Sequence, residues 1–173
     1  MMVYTPQVVS GSFTESFIHI LVQDDLVRLQ SLLEEFQTPD ILIHLTRAMP
    51  ILFISDVPIL FLAAFFRAIR CFRALLNSGA DTSMRTAQGL GLSHFAAAGG
   101  SEEIIRMIDF DPNDSALVDD AAFTPVHAAA AFGHADLLRY MLERDVDIAL
   151  NSAHAVHPLC YACTYGHTNV VEF

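Results

Sequence analysis

Apolar residues along the chain recur at the spacing of short helices, most clearly in residues 123–148. Thr124 and Pro125 form a helix start, because threonine caps free amides and proline fits the first helical position. Four alanines follow at residues 128–131, and Gly133 ends that segment. The next apolar residues fall on one helical stripe: Leu137, Leu138, Met141 and Leu142. The pattern predicts two short helices joined by a tight turn.

A pair of small residues returns along the chain at a constant interval. The pairs begin at Ala63, Ala96, Ala129 and Ala162, each 33 residues after the one before. A thin alanine helix allows close approach to a neighbour but cannot enclose its own apolar side, so such hairpins must stack on one another. The sequence therefore predicts an all-α fold, a solenoid of stacked helix-turn-helix units.

This periodic region resembles the ankyrin-repeat family, whose repeats have a period of 33 residues and the signature T-P-L-H-x-A. Residues 124–129 read TPVHAA, and residues 77–81, NSGAD, resemble the family's exit from the second helix. The resemblance covers residues 58–173 and implies repeats at about 58–88, 89–121, 122–154 and, truncated, 155–173. It also implies a protein-binding module whose partners contact a concave groove.

The residues before this region have a weaker pattern. We expect residues 1–12 to be a flexible tail and residues 13–57 to form a helical cap or degenerate repeats. Within the second segment, Thr38-Pro39-Asp40 predicts a helix start, with an apolar stripe that continues to Pro50. The apolar residues 51–57 are predicted to be a short buried connector.

Three of the four repeats depart from the family pattern. In the first, Phe61 replaces the signature histidine, and Arg67 takes the turn position, where a left-handed conformation costs arginine about 1 kcal/mol more than glycine. The second lacks the Thr-Pro helix start. The fourth stops at Phe173, within its second helix, so we expect a fragment of a longer array, or a partner or further repeats covering this end.

Charge and cysteine content narrow the partners. The chain has a net charge of −11, and all nine of its basic residues are arginines. Nucleic acid and anionic membranes are poor candidates for a partner, because both need clustered cations. A protein with a basic edge fits better. Seven of the acids lie within residues 102–120, and they either face such a partner or form a solvated face.

Three cysteines form no disulfide framework, which favours a reducing cytoplasmic or nuclear location. Residues 1–13 have neither the basic start nor the long apolar core of a secretory signal. The most apolar window, residues 51–66, is too short to span a bilayer. We therefore expect a soluble protein.

The histidines suggest structural roles first. His94 and His127 occupy the signature position, and the resemblance implies that each ring bonds to the loop beside its helix. His134 and His167 follow turn glycines, as in the family's Gly-His turn. A zinc or redox site is an alternative, because Cys-x-x-Cys with nearby histidines suits tetrahedral zinc; its candidates are His154, His157, Cys160, Cys163 and His167. Apolar packing of the two thiols is the other reading.

Apart from the zinc or redox candidates, the sequence contains no motif that indicates catalysis. A glycine-rich phosphate loop, a nucleophile elbow and an HExxH helix are all absent, so we expect no enzyme activity and no cofactor.

The resemblance places partner contacts on the turn tips and on the exposed side of each first helix. The predicted partner-binding residues are Phe65, Phe66, Gln88, Leu90, Asp119, Asp120, Phe123, Phe132, His154 and Tyr165. The aromatic residues would supply apolar anchors, and the two aspartates would face a basic edge. Two other readings remain: some rings pack only between repeats, and the whole stack is a structural spacer in a multidomain protein.

Overall fold

The computed structural model describes residues 7–45, 56–112, 114, 116–118, 121–148 and 156–172. The N-terminal part contains strand β1 (Gln7–Val9), helices α1 (Ser12–Val22) and α2 (Leu26–Phe36), and strands β2 (Ile41–His44) and β3 (Asp56–Pro58). Strand β2 is central in this sheet, pairing parallel to β1 and antiparallel to β3.

Four helix pairs follow. They are α3 (Ile59–Phe65) with α4 (Ile69–Asn77), α5 (Leu92–Gly99) with α6 (Glu102–Met107), α7 (Pro125–Ala131) with α8 (Ala135–Leu142), and α9 (Pro158–Tyr165) with α10 (Thr168–Val171). An antiparallel hairpin of β4 (Ala116–Val118) and β5 (Ala121–Phe123) lies between α6 and α7.

The first helices of these pairs stack in a row. Helix α3 packs on α5, α5 on α7, and α7 on α9. The alanines that set the period, Ala63, Ala96, Ala129 and Ala162, are all fully buried in this row. The constant interval of 33 residues therefore corresponds to equivalent positions on successive helices, which confirms the predicted stack.

The N-terminal hairpin continues the same arrangement. Helix α1 packs on α3 and α2 packs on α4, so first helices meet first helices and second helices meet second helices. The Asp24 carboxylate accepts hydrogen bonds from the amides of Arg70 and Cys71, at 3.0 and 2.8 Å, at the start of α4. This hairpin therefore lies against the first repeat as a preceding repeat would.

Two N-terminal predictions are wrong. Residues 7–9 are not a flexible tail, because they pair with β2 and Val9 is buried. The predicted helix after Asp40 is strand β2, in which Ile41 and Ile43 are fully buried. A run of four apolar or amphipathic residues is too short to distinguish the spacing of a helix from the alternation of a strand. Pairing with β1 and β3 favours the strand. The description all-α is correspondingly too simple.

Candidate functional site

Three phenylalanines form a cluster at the C-terminal ends of two first helices. The Phe65 ring meets Phe66 edge-on at a centroid distance of 5.2 Å, and meets Phe132 edge-on at 5.4 Å. All three side chains are partly exposed. We call Phe65, Phe66 and Phe132 the aromatic cluster.

The cluster spans the second repeat, which carries only small residues at the corresponding positions, Ala98 and Gly99. A β-carbon on Gly99 would lie 2.4 Å from the carbonyl oxygen of Ala64, so no larger residue fits without moving a backbone. Because α5 is narrow there, Phe65 of the first repeat reaches Phe132 of the third. Tyr165, which follows Phe132 by one period, lies 41% exposed on α9.

Two predicted contact residues lie in the core instead. Phe123 and Leu90 are fully buried, so the prediction that their side chains line the partner surface is wrong. Phe123 lies nearly parallel to the His94 ring and meets Tyr161 edge-on at 5.4 Å. Phe123, at the end of β5, and Leu90, in the loop before α5, turn inward because the first helices beside them leave apolar surface to cover.

The remaining predicted residues are placed as follows. Gln88 is half-buried in the loop before α5. Asp119, Asp120 and His154 lie outside the described residues, so the acidic edge stays a prediction.

A positively charged residue adjoins the cluster in the chain. Arg67 is exposed in the left-handed conformation, with φ 58°, directly after Phe66. Its guanidinium donates hydrogen bonds to the carbonyls of Gly99 and Gly100. These bonds join the first and second repeats and offset the backbone strain that the sequence predicts for arginine there.

His94 and His127 have the structural role that the resemblance implies. The Nε2 atom of each donates to a carbonyl just before the next first helix, Phe123 for His94 and Val156 for His127, both at 3.0 Å. Nδ1 accepts from the amide at the start of the helix, which fixes the neutral tautomer. Burial is the main cause that lowers the pKa of both imidazoles below their ordinary value.

His134 and His167 connect repeats in the opposite direction. Their Nε2 atoms donate to the carbonyls of Ala98 and Ala131, each at 2.7 Å. Their rings lie against the left-handed turn glycines Gly100 and Gly133, where an added β-carbon would clash. The turn glycine is therefore needed both for its conformation and for the space that the ring occupies.

The geometry gives no support to the zinc alternative. Cys160 and Cys163 are exposed on α9, and His167 already donates to Ala131. Among the described residues, no group of three or more histidine, cysteine, aspartate or glutamate side chains could hold a metal ion. The third thiol, Cys71, is buried, and desolvation raises its pKa to about 12, which makes it a poor nucleophile.

In the part of the chain that the structure describes, no helix is long and apolar enough to cross a membrane. Comparison with curated proteins gives no match. A family model described as "Ankyrin repeats (3 copies)" matches residues 60–152 and 93–173, which together cover about two thirds of the chain. Its span agrees with the stacked helix pairs and with the histidine contacts between repeats. The chain therefore belongs to the ankyrin-repeat family.

Proposed function

We propose that the protein is a non-enzymatic interaction module, or scaffold, that binds a protein partner through the aromatic cluster and Tyr165. The observation that carries this proposal is the edge-on contact of Phe65 with both Phe66 and Phe132, in rings that remain partly exposed. Ankyrin repeats generally mediate protein–protein interactions, which agrees with this use of the surface.

The cluster is suited to binding because its rings are held in place before a partner arrives. Immobilising a flexible side chain at an interface costs about 0.5–1.5 kcal/mol, and mutual packing of the three rings reduces that cost. Apolar side chains of a partner would bury the remaining ring surface. Aromatic anchors of this kind often contribute about 2 kcal/mol or more each.

We further propose that the partner has a basic edge and is met in the cytoplasm or nucleus. The net charge of −11 favours a basic partner, and Asp119 and Asp120 are the candidate contacts. The described cysteines are free thiols, which suits a reducing compartment.

Replacing both Asp119 and Asp120 with asparagine should slow association with the partner and weaken the dependence of the association rate on salt.

The test compares a variant carrying Phe66→Ser and Phe132→Ser with a control carrying Leu142→Ser, which removes an apolar side chain that is 49% exposed at the end of α8. Proteins captured from a cell extract by each would be quantified, and the recovered partner titrated in purified form. We expect the double variant to lose about tenfold or more in affinity, since 1.4 kcal/mol corresponds to that factor, while the control binds normally.

Circular dichroism and a urea titration would establish that both variants remain folded. Unchanged binding by a folded double variant would reject the aromatic cluster as the site. If every interaction of the folded variant matched that of the wild type, the structural spacer would be the better explanation.

A further inference from the structure

A groove lies between α6 and α8, the second helices of two neighbouring repeats, away from the aromatic cluster. It is formed by α6, α8 and the segments that follow them, and its volume is about 450 Å³. Its apolar lining includes Ile105, Phe110 and Met141, of which Ile105 and Met141 are buried and Phe110 half-buried. The groove shares no residue with the aromatic cluster, so the two surfaces can be altered separately.

The charge of this groove is opposite to that of the chain. Among the described residues, its lining contains two arginines, Arg106 and Arg144, and no acidic residue, although the protein has 20 acidic residues and a net charge of −11. Both guanidinium carbons lie over the Tyr140 ring, at 5.3 and 4.6 Å from its centroid. The groove therefore combines an apolar floor with a cationic rim.

The repeat register explains how this rim arises. In the preceding repeat, Arg73 Nε donates to the sulfur of Met107 at 3.3 Å. One period later, Arg106 takes the place of Arg73 and Tyr140 takes the place of Met107, and Arg106 Nε lies 3.3 Å from the phenol oxygen. The change from methionine to tyrosine supplies an aromatic face on which a second guanidinium, Arg144, also rests.

The two guanidinium groups differ in their partners. Arg106 forms an ion pair with Glu102, one helical turn earlier. Arg144 has no carboxylate partner among the residues that the structure describes, and its side chain is exposed. Both groups contact one ring, so their guanidinium carbons lie within about 10 Å of each other, a distance that a short peptide segment of about three residues can span.

We propose that the groove between α6 and α8 docks an acidic peptide segment of a partner protein. One apolar side chain of the segment would lie on the floor against Ile105 and Met141. An adjacent carboxylate would accept hydrogen bonds from Arg144 and from the free edge of Arg106, a geometry that guanidinium favours. This surface is additional to the aromatic cluster, whose proposed partner has a basic edge.

The test selects binders from a displayed library of random dodecapeptides on the wild-type protein, with excess Arg144→Gln protein as the competitor. The competitor removes peptides that bind elsewhere, including those on the aromatic cluster. We expect the surviving peptides to place aspartate or glutamate beside a leucine, isoleucine or aromatic residue. Failure to recover peptides that discriminate against the competitor, or recovery of peptides without an acidic excess, would overturn the proposal.

The best survivor would then be synthesised with a fluorescent label, together with a copy in which asparagine and glutamine replace its acids. We expect Arg144→Gln to weaken binding of the acidic peptide by about tenfold or more, and the amide copy to bind the wild type as weakly. Arg28→Gln is the matched control, since Arg28 is an exposed arginine on α2. Equal weakening by Arg28→Gln, or equal binding of the amide copy, would show non-specific attraction and reject the site.

The variant carrying Phe66→Ser and Phe132→Ser separates the two proposals. It should bind the acidic peptide with wild-type affinity, even if the aromatic cluster proves to be no binding site. Loss of peptide binding in that folded variant would place the peptide on the aromatic cluster and overturn the proposal for this groove.

Discussion

Neutral histidines hold successive repeats together from the inside. His127 accepts hydrogen bonds at Nδ1 from its own helix start and donates through Nε2 to Val156 of the next loop. Only a neutral ring can do both, because a protonated ring has no acceptor. Burial makes the charged form costly, so the contact between repeats depends on the protonation state.

This arrangement predicts a pH dependence for His127→Gln. The folded-state pKa of His127 is lowered from its ordinary value of 6.5, mainly by burial. The unfolded chain therefore binds more protons, and wild-type stability falls as the pH drops below 6.5 until the folded-state pKa is reached. Glutamine does not titrate, so the difference in unfolding free energy between wild type and variant should be largest above pH 6.5 and should narrow as the pH falls below 6.5.

Urea titrations at several pH values would measure this difference. The contribution of one histidine cannot exceed about 1.4 kcal/mol per pH unit. A constant gap between wild type and variant would show that His127 is not held neutral by the fold. Comparing the two proteins at each pH cancels the contribution of the carboxylates to the unfolding free energy, because the carboxylates titrate in both proteins.

The first helices pack closely because they carry small side chains, or none, where they meet. Helices α3 and α5 approach so closely that the backbone of Ala64 and Phe65 occupies the position of a β-carbon on Gly99. Gly99 is helical, so its role is close approach and not an unusual backbone angle. The same close approach brings Phe65 within reach of Phe132, which links the packing of this helix pair to the proposed binding surface.

Gly99→Ala should therefore destabilise the protein by about 1–3 kcal/mol, the usual cost of overpacking a core. Alanine otherwise favours a helix, so propensity alone predicts the opposite sign. Gly91→Ala is the matched control, because the three atoms nearest its β-carbon would be the ends of the Arg85 and Asp114 side chains, which can move more easily than a helix backbone. Equal stability of the two variants in urea would contradict the close backbone contact.

The stack differs at its two ends. At the N-terminal end, α1 and α2 cover the first repeat. At the other end, Leu159 and Val171 are 41% and 48% exposed, whereas Val126, one period before Leu159, is fully buried. Each repeat of a solenoid is stabilised by its neighbours, and among the described residues α9 packs on one neighbouring first helix, α7, whereas α5 packs on both α3 and α7.

Hydrogen exchange should show this difference directly. We expect the amides of α9 and α10 to exchange faster than those of α5 and α7, because local opening of the last pair exposes less buried apolar surface. Mass spectrometry of peptides from each helix would measure the rates. Equal protection in α9 and α7 would mean that the fourth repeat is stabilised independently of a covering neighbour.

Several contacts could be foreseen from the chain alone because the period places equivalent residues on equivalent helices. The structural role of His94 and His127 follows from their position in the family signature and is found in the structure. The pairing of Tyr140 with Arg106 was missed, although the positions of Arg73 and Arg106, one period apart, carry that signal. No comparable pattern in the sequence indicated that Phe123 is buried or that a strand follows Asp40.

The amino-acid order alone specified the repeat length and the helix pairs, because these depend on spacing along the chain and on residue type, and the resemblance to the family signature implied the bridging histidines. Tertiary structure decided which rings remain at the surface, since Phe65, Phe66 and Phe123 are chemically alike and differ only in what surrounds them. It also decided that residues 41–44 form a strand, which required a parallel and an antiparallel neighbour from distant parts of the chain. Contacts between residues far apart in sequence depend on packing, and no local pattern encodes that packing.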